Sequence, residues 1–82
     1  MQINFTQHAL TRMAERGISQ DEVLQTLTTP LLTVPADNGC FEARGMVSRS
    51  TGPMLLRVVY ANGVVLTVIT VIPTTQFKRY GL

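Results

Sequence analysis

The apolar positions of this chain change period about a third of the way along. In the first part they recur at helical spacing. Leu10, Met13 and Ala14 mark one side of a helix running from about Gln7 to Arg16. Thr6 is placed to cap its start, and Gly17 to end it in the left-handed conformation that glycine adopts without a Cβ penalty. The four residues before the cap (QINF) have the composition of a short opening strand. A second helix start follows at once. Ser19 and Glu22 have the spacing of a capping box, and Ile18 and Val23 flank it as a hydrophobic staple. Val23, Leu24 and Leu27 form its expected buried stripe, and Thr28, Thr29 and Pro30 end it.

Beyond Leu31 the pattern becomes that of strands. A short one is expected over 31–34, a turn over 35–39 (PADNG), a weaker strand over 40–47 and a loop over 48–53 (SRSTGP). Residues 54–61 and 64–72 are the two strongest strand runs, and Asn62-Gly63 between them predicts a two-residue type I′ hairpin. That turn pairs Ala61 with Val64, Val59 with Leu66 and Arg57 with Val68. Leu55, Arg57, Val59, Leu66, Val68 and Thr70 then share one face, with Thr70 diagonal to Arg57. Both faces are mostly apolar, which places this hairpin centrally in its sheet. Pro73 is expected to stop the last strand. The tail of about 74–82 lacks a clear period and is read as frayed or packed.

The pattern therefore predicts an α+β fold, a helical hairpin packed on a small antiparallel sheet. Its length of 82 residues allows a single domain, 1–82. The mean hydropathy of +0.20 is high for a lone soluble domain and suggests that both faces of some element are covered, a partner being one way to do so. No apolar run reaches membrane-spanning length, and MQINFTQ lacks the basic start and apolar stretch of a signal peptide. A cytoplasmic protein without membrane association is the expectation. A single cysteine, Cys40, rules out an internal disulfide, and a single histidine argues against a protein-only zinc site. No metal or cofactor is expected. Nor is there a phosphate-binding glycine loop, a dinucleotide fingerprint or an HExxH motif.

Charge sharpens the picture. The formal net charge is +2, and six of the seven cations are arginines, which suit forked contact with phosphate or carboxylate. His8, Arg12 and Arg16 recur every four residues along one helix stripe, with Glu15 beside it. Such a set can bind a phosphodiester and move a proton; equally, it can be a solvated face on which Glu15 pairs with Arg12 or His8. Arg57 lies inside a strand between valines, where it must reach the sheet edge, pair with an acid or line a site. Phe77, Lys78, Arg79 and Tyr80 form a basic and aromatic tail of the kind that stacks on bases. A helix-turn-helix reading is disfavoured, because the second helix is acidic at its leading end and would repel DNA phosphates.

The stretch His8-Ala9-Leu10-Thr11-Arg12-Met13-Ala14-Glu15-Arg16-Gly17-Ile18-Ser19, followed by Glu22-Val23 and Pro30, resembles a family of short bacterial domains of unassigned function. Their recurring pattern is His-Ala-x-x-Arg-x-x-x-Arg-Gly-Ile. Leu56-Arg57-Val58-Val59 and Val65–Val71 resemble the family's closing strands, and the likeness covers roughly residues 3–73. That family is grouped by fold with RelE/ParE-like and BrnT-like toxins, within the barnase–EndoU–colicin–RelE class. The resemblance implies a small metal-independent ribonuclease of a toxin–antitoxin or toxin–immunity system. His8, Arg12, Arg16 and Arg57 are its implied catalytic residues, with Thr70 as an accessory hydrogen-bonder. RNA contacts are expected from Arg44, Arg49, Lys78, Arg79 and Tyr80. The implied partners are RNA and a cognate antitoxin or immunity protein, with a homodimer as a further expectation. The net charge is low for the RelE type, and ParE-like relatives do not cleave RNA. The alternative is a non-catalytic protein- or nucleic-acid-binding module of the same fold.

Overall fold

The structure, a computed structural model, describes residues 2–82. Strand β1 (Ile3–Phe5) leads into helix α1 (Gln7–Arg16) and helix α2 (Gln20–Thr28). Strands β2 (Leu32–Pro35), β3 (Phe41–Arg49), β4 (Gly52–Ala61) and β5 (Leu66–Thr74) follow, and a 3₁₀ turn over Phe77–Tyr80 ends the chain. The sheet order is β1-β5-β4-β3-β2. The three pairings among β2 to β5 are antiparallel, as expected, while β1 pairs parallel to β5, so the sheet is mixed.

The helix termini follow from local chemistry. The Thr6 hydroxyl accepts from the Ala9 amide, and Gly17 takes φ +64° while its own N–H bonds to the Met13 carbonyl. Ser19 and Glu22 exchange both bonds of the capping box. Ile18 and Val23 are buried together with Ala9, Met13, Leu56, Val58, Val68 and Val71, which form the core between the helices and one sheet face. The buried side of α1 is thus Ala9 and Met13, not the expected Leu10 and Ala14, and Leu24 on α2 is exposed. In its place α2 buries Thr26, which lies against Gly45 of β3. A Cβ at Gly45 would stand 3.3 Å from the Thr26 methyl and hydroxyl, so the bare backbone is what admits the helix here.

Two turns exchange the roles expected of them. The tight hairpin is β3–β4, where Arg49 pairs with Gly52 around Ser50 and Thr51, in a stretch expected to be a loop. The Asn62-Gly63 turn widens instead: Ala61 pairs with Thr67, and Val64 is fully exposed in the connection. Nearer the middle of the hairpin Val59 faces Thr70, whereas Tyr60 faces Val68, so Ile69 is an extra residue in β5. The bulge brings both Val68 and Val71 to the helix face, where they are buried. The predicted register would have turned Val68 away from the core; burial of that side chain and pairing of Leu66–Val68 with β1 favour the observed one. Pro73 does not stop β5, which runs to Thr74. Because β1 covers only the first three residues of β5, Pro73 lies along an uncovered edge, where a missing N–H breaks no ladder bond.

Candidate functional site

Two clusters of the expected residues form, in different places. The first lies where β1 ends. Thr6 continues the β1–β5 contact by bonding to the carbonyls of Val68 and Ile69, and α1 then runs on beside the uncovered edge of β5. Between them is a pocket of about 290 Å³ lined by His8, Arg12, Arg16, Thr70, Val71, Ile72 and Pro73. The helix repeat places the three basic side chains on one wall. The strand supplies the other.

His8 and Thr70 meet across this pocket, with His8 Nε2 3.1 Å from Thr70 Oγ1. The residues are 62 positions apart in the chain. Thr70 stands beside the extra residue of the bulge, a position at which a strand re-aims its side chains. Its hydroxyl can donate or accept, so it holds the imidazole in either tautomer. Arg12 makes one loose contact with Glu15 at 3.6 Å, both side chains being about half exposed. Such a pair contributes little. Arg16 has no acidic partner within ion-pair distance among the described residues.

The second cluster contains Arg57, on the sheet face away from the helices. Leu56 and Val58 point into the helix core, and alternation turns Arg57 the other way. Its guanidinium forks onto Glu42, Nε to Oε2 at 3.0 Å and Nη2 to Oε1 at 2.9 Å. Nη1 donates to the Tyr80 hydroxyl at 2.8 Å. Arg44 Nε donates to the same Glu42 Oε2 at 2.6 Å. Both guanidiniums also lie over the Tyr80 ring, 5.0 and 4.8 Å from its centroid. Burial alone would push the Glu42 carboxyl up; hydrogen bonds and charge from Arg57 and Arg44 outweigh it and hold the group below its ordinary value. The forked bond to Glu42 correspondingly raises Arg57.

The structure therefore brings His8, Arg12, Arg16 and Thr70 into one pocket, which Arg57 does not line. Of the three options for a strand arginine, pairing with an acid is the one realised. Thr70 does lie diagonal to Arg57 in the ladder, which pairs Arg57 with Ile72, but its hydroxyl engages His8 instead. The residues expected at RNA are dispersed. Arg44 and Tyr80 belong to the second cluster, and Arg49 pairs with Glu22 at 3.0 Å. Arg79 donates to Gln76, and Lys78 is exposed beside it. Sequence reasoning missed Glu42. Its signal was an acid two residues before Arg44 in a strand, on the side that the pairing of β3 with β4 turns toward Arg57.

Among the described residues, no cluster of histidine, cysteine and acidic groups could hold a metal ion, and no helix is long and apolar enough to cross a membrane. Two helices on one face of a mixed sheet, with a basic pocket at an uncovered strand edge, define the class of small α+β domain to which the chain conforms. More particularly, residues 5–76 match the family described as Domain of unknown function (DUF4258), and the chain belongs to that family. No curated protein and no solved structure matches it.

Proposed function

We propose that the protein is a small metal-independent ribonuclease of toxin type, with its site in the pocket between α1 and β5. The observation that carries this reading is the His8–Thr70 contact beside Arg12 and Arg16. A proton-transfer group, a residue that orients it and two cations line one opening of about 290 Å³. Cleavage follows from those parts. The 2′-hydroxyl of RNA attacks the adjacent phosphorus, the P–O2′ bond forms and the P–O5′ bond breaks. With Nε2–H donated to Thr70, His8 Nδ1 carries a lone pair and takes the 2′-hydroxyl proton. The imidazolium so formed keeps Nε2–H on Thr70 and gives the Nδ1 proton to the leaving 5′-oxygen, which restores neutral His8. Arg12 and Arg16 hold the RNA by its phosphates, and Arg12, one helix turn from His8, offsets the negative charge that develops at the reacting one. Arg57, implied by resemblance to act at the phosphate, takes no part in this scheme. It holds the sheet face under Tyr80.

In this reading RNA is the substrate, and an antitoxin or immunity protein is the partner that covers the pocket. Induction in a bacterial host without a partner is the test. Growth arrest and RNA cleavage are expected, both relieved by His8→Ala. Harmless induction with intact RNA would remove the proposal. A second reading, a non-catalytic binding module, is favoured by one observation: His8 is the only general acid–base group lining the pocket, so one side chain has to serve both ends of the scissile bond. Under that reading the same pocket binds RNA without cleaving it.

A further inference from the structure

His8, Arg12 and Arg16 stand at successive helix positions four apart, which a rise of 1.5 Å per residue converts to steps of about 6 Å. That step is close to the phosphate-to-phosphate repeat of an extended nucleic-acid strand. All three side chains line the same pocket, which therefore runs for about 12 Å along α1. A volume of about 290 Å³ over that length makes it a narrow trough, one that seats phosphates rather than whole nucleotides. Its far wall is Val71, Ile72 and Pro73, an apolar surface for sugars and bases. Neither arginine is committed elsewhere: Arg12 has only its loose contact with Glu15, and Arg16 has no acidic partner among the described residues.

Resting on the ribonuclease reading, we infer that the trough is a track for three consecutive phosphates of single-stranded RNA. The reacting phosphate lies at His8, the next at Arg12 and the third at Arg16. Arg16 is a positioning residue. It touches no reacting atom and sets how far from the strand end the reacting bond must lie. The substrate class is an oligonucleotide with at least three phosphates; mononucleotides and dinucleotides are poor ligands.

The test is binding of 2′-O-methyl RNA oligomers of two to six nucleotides, which lack the attacking hydroxyl, followed by fluorescence anisotropy. Affinity should rise about tenfold with each added phosphate, the effect of one charge-assisted hydrogen bond, and level off after the third. Arg16→Ala should abolish the last step and lower the slope of log affinity against log salt by about 0.7. Arg16→Lys should restore the slope. Affinity independent of length, or an unchanged salt slope in Arg16→Ala, overturns the track. Cleavage of unmodified RNA, measured in parallel, separates the two readings. Cleavage without length dependence removes the track alone. Length dependence without cleavage keeps the track and removes the nuclease.

Discussion

Arg44 and Arg57 stand directly opposite each other in the β3–β4 ladder, and Glu42 accepts a hydrogen bond from each. Like charges in that relationship repel. Here one carboxylate lies between them and one aromatic ring, Tyr80, lies over both. The pair of cations is thus what fastens the C-terminal turn to the sheet, with Leu55 fully buried beside it.

Glu42→Gln should destabilise the domain by about 3 kcal/mol, because it leaves two arginines half-buried without a counter-charge. Chemical denaturation measures this directly. A loss below about 1 kcal/mol would mean that the arginines relax into water and that the cluster holds nothing in place.

The same carboxylate predicts an acid limb to the stability profile. Its value in the folded chain lies below the ordinary 4.5, so the unfolded chain takes up the proton first. The stabilisation is complete above 4.5 and is lost as pH falls through the lowered folded value. Subtracting the Glu42→Gln profile from that of the native chain should isolate a component present near neutrality and absent in strong acid. A flat difference would contradict the lowered carboxyl.

Gly45→Ala should cost about 1–3 kcal/mol by pressing the new methyl against Thr26. Thr26→Ala removes the two side-chain atoms that it meets, so the double variant should lose less than the sum of the single ones. Strict additivity in thermal unfolding would show that α2 does not rest on this position.

Ser19→Ala should cost about 1 kcal/mol, the usual worth of a helix cap. Glu22→Ala should cost more, because Glu22 Oε1 accepts from both the Ser19 amide and Arg49. If the two losses prove equal in denaturant titrations, the contact with Arg49 adds nothing.

Thr70→Val keeps the shape of the strand and removes the hydroxyl that orients His8. RNA cleavage should fall about three- to tenfold, the worth of one hydrogen bond. Thr70→Ser should retain most of the activity, since it keeps the oxygen. Cleavage by the valine variant at the native rate would take Thr70 out of the site.

Much of the helical half was legible residue by residue. Thr6, Gly17, Ser19 and Glu22 act within four positions of themselves, so local spacing is enough to place them. The sheet was legible as a set of strands and less so as a register. Asn62-Gly63 is a strong local signal for a two-residue turn, yet Val68 gains more by entering the core than the turn gains by being tight. The choice rests on burial across the sheet, which a four-residue window does not contain. The stripe of His8, Arg12 and Arg16 was likewise visible as helix geometry, but its second wall, Thr70 to Pro73, was not.

Arg57 shows the division most clearly. Its sequence position between apolar strand residues determined that it needed a partner, because a half-buried guanidinium left alone is costly. Which partner was decided only by the tertiary structure. The β3–β4 pairing sets Arg57 against Arg44 and brings Glu42, 15 positions away, within hydrogen-bond distance. The chain's return after β5 then lays Tyr80 over both arginines. Local sequence determined the caps, the helix stripe and the need for a counter-charge, because those depend on near neighbours. The meeting of His8 with Thr70 and of Arg57 with Glu42 depends on strand order and register, which only the packing of the whole chain determines.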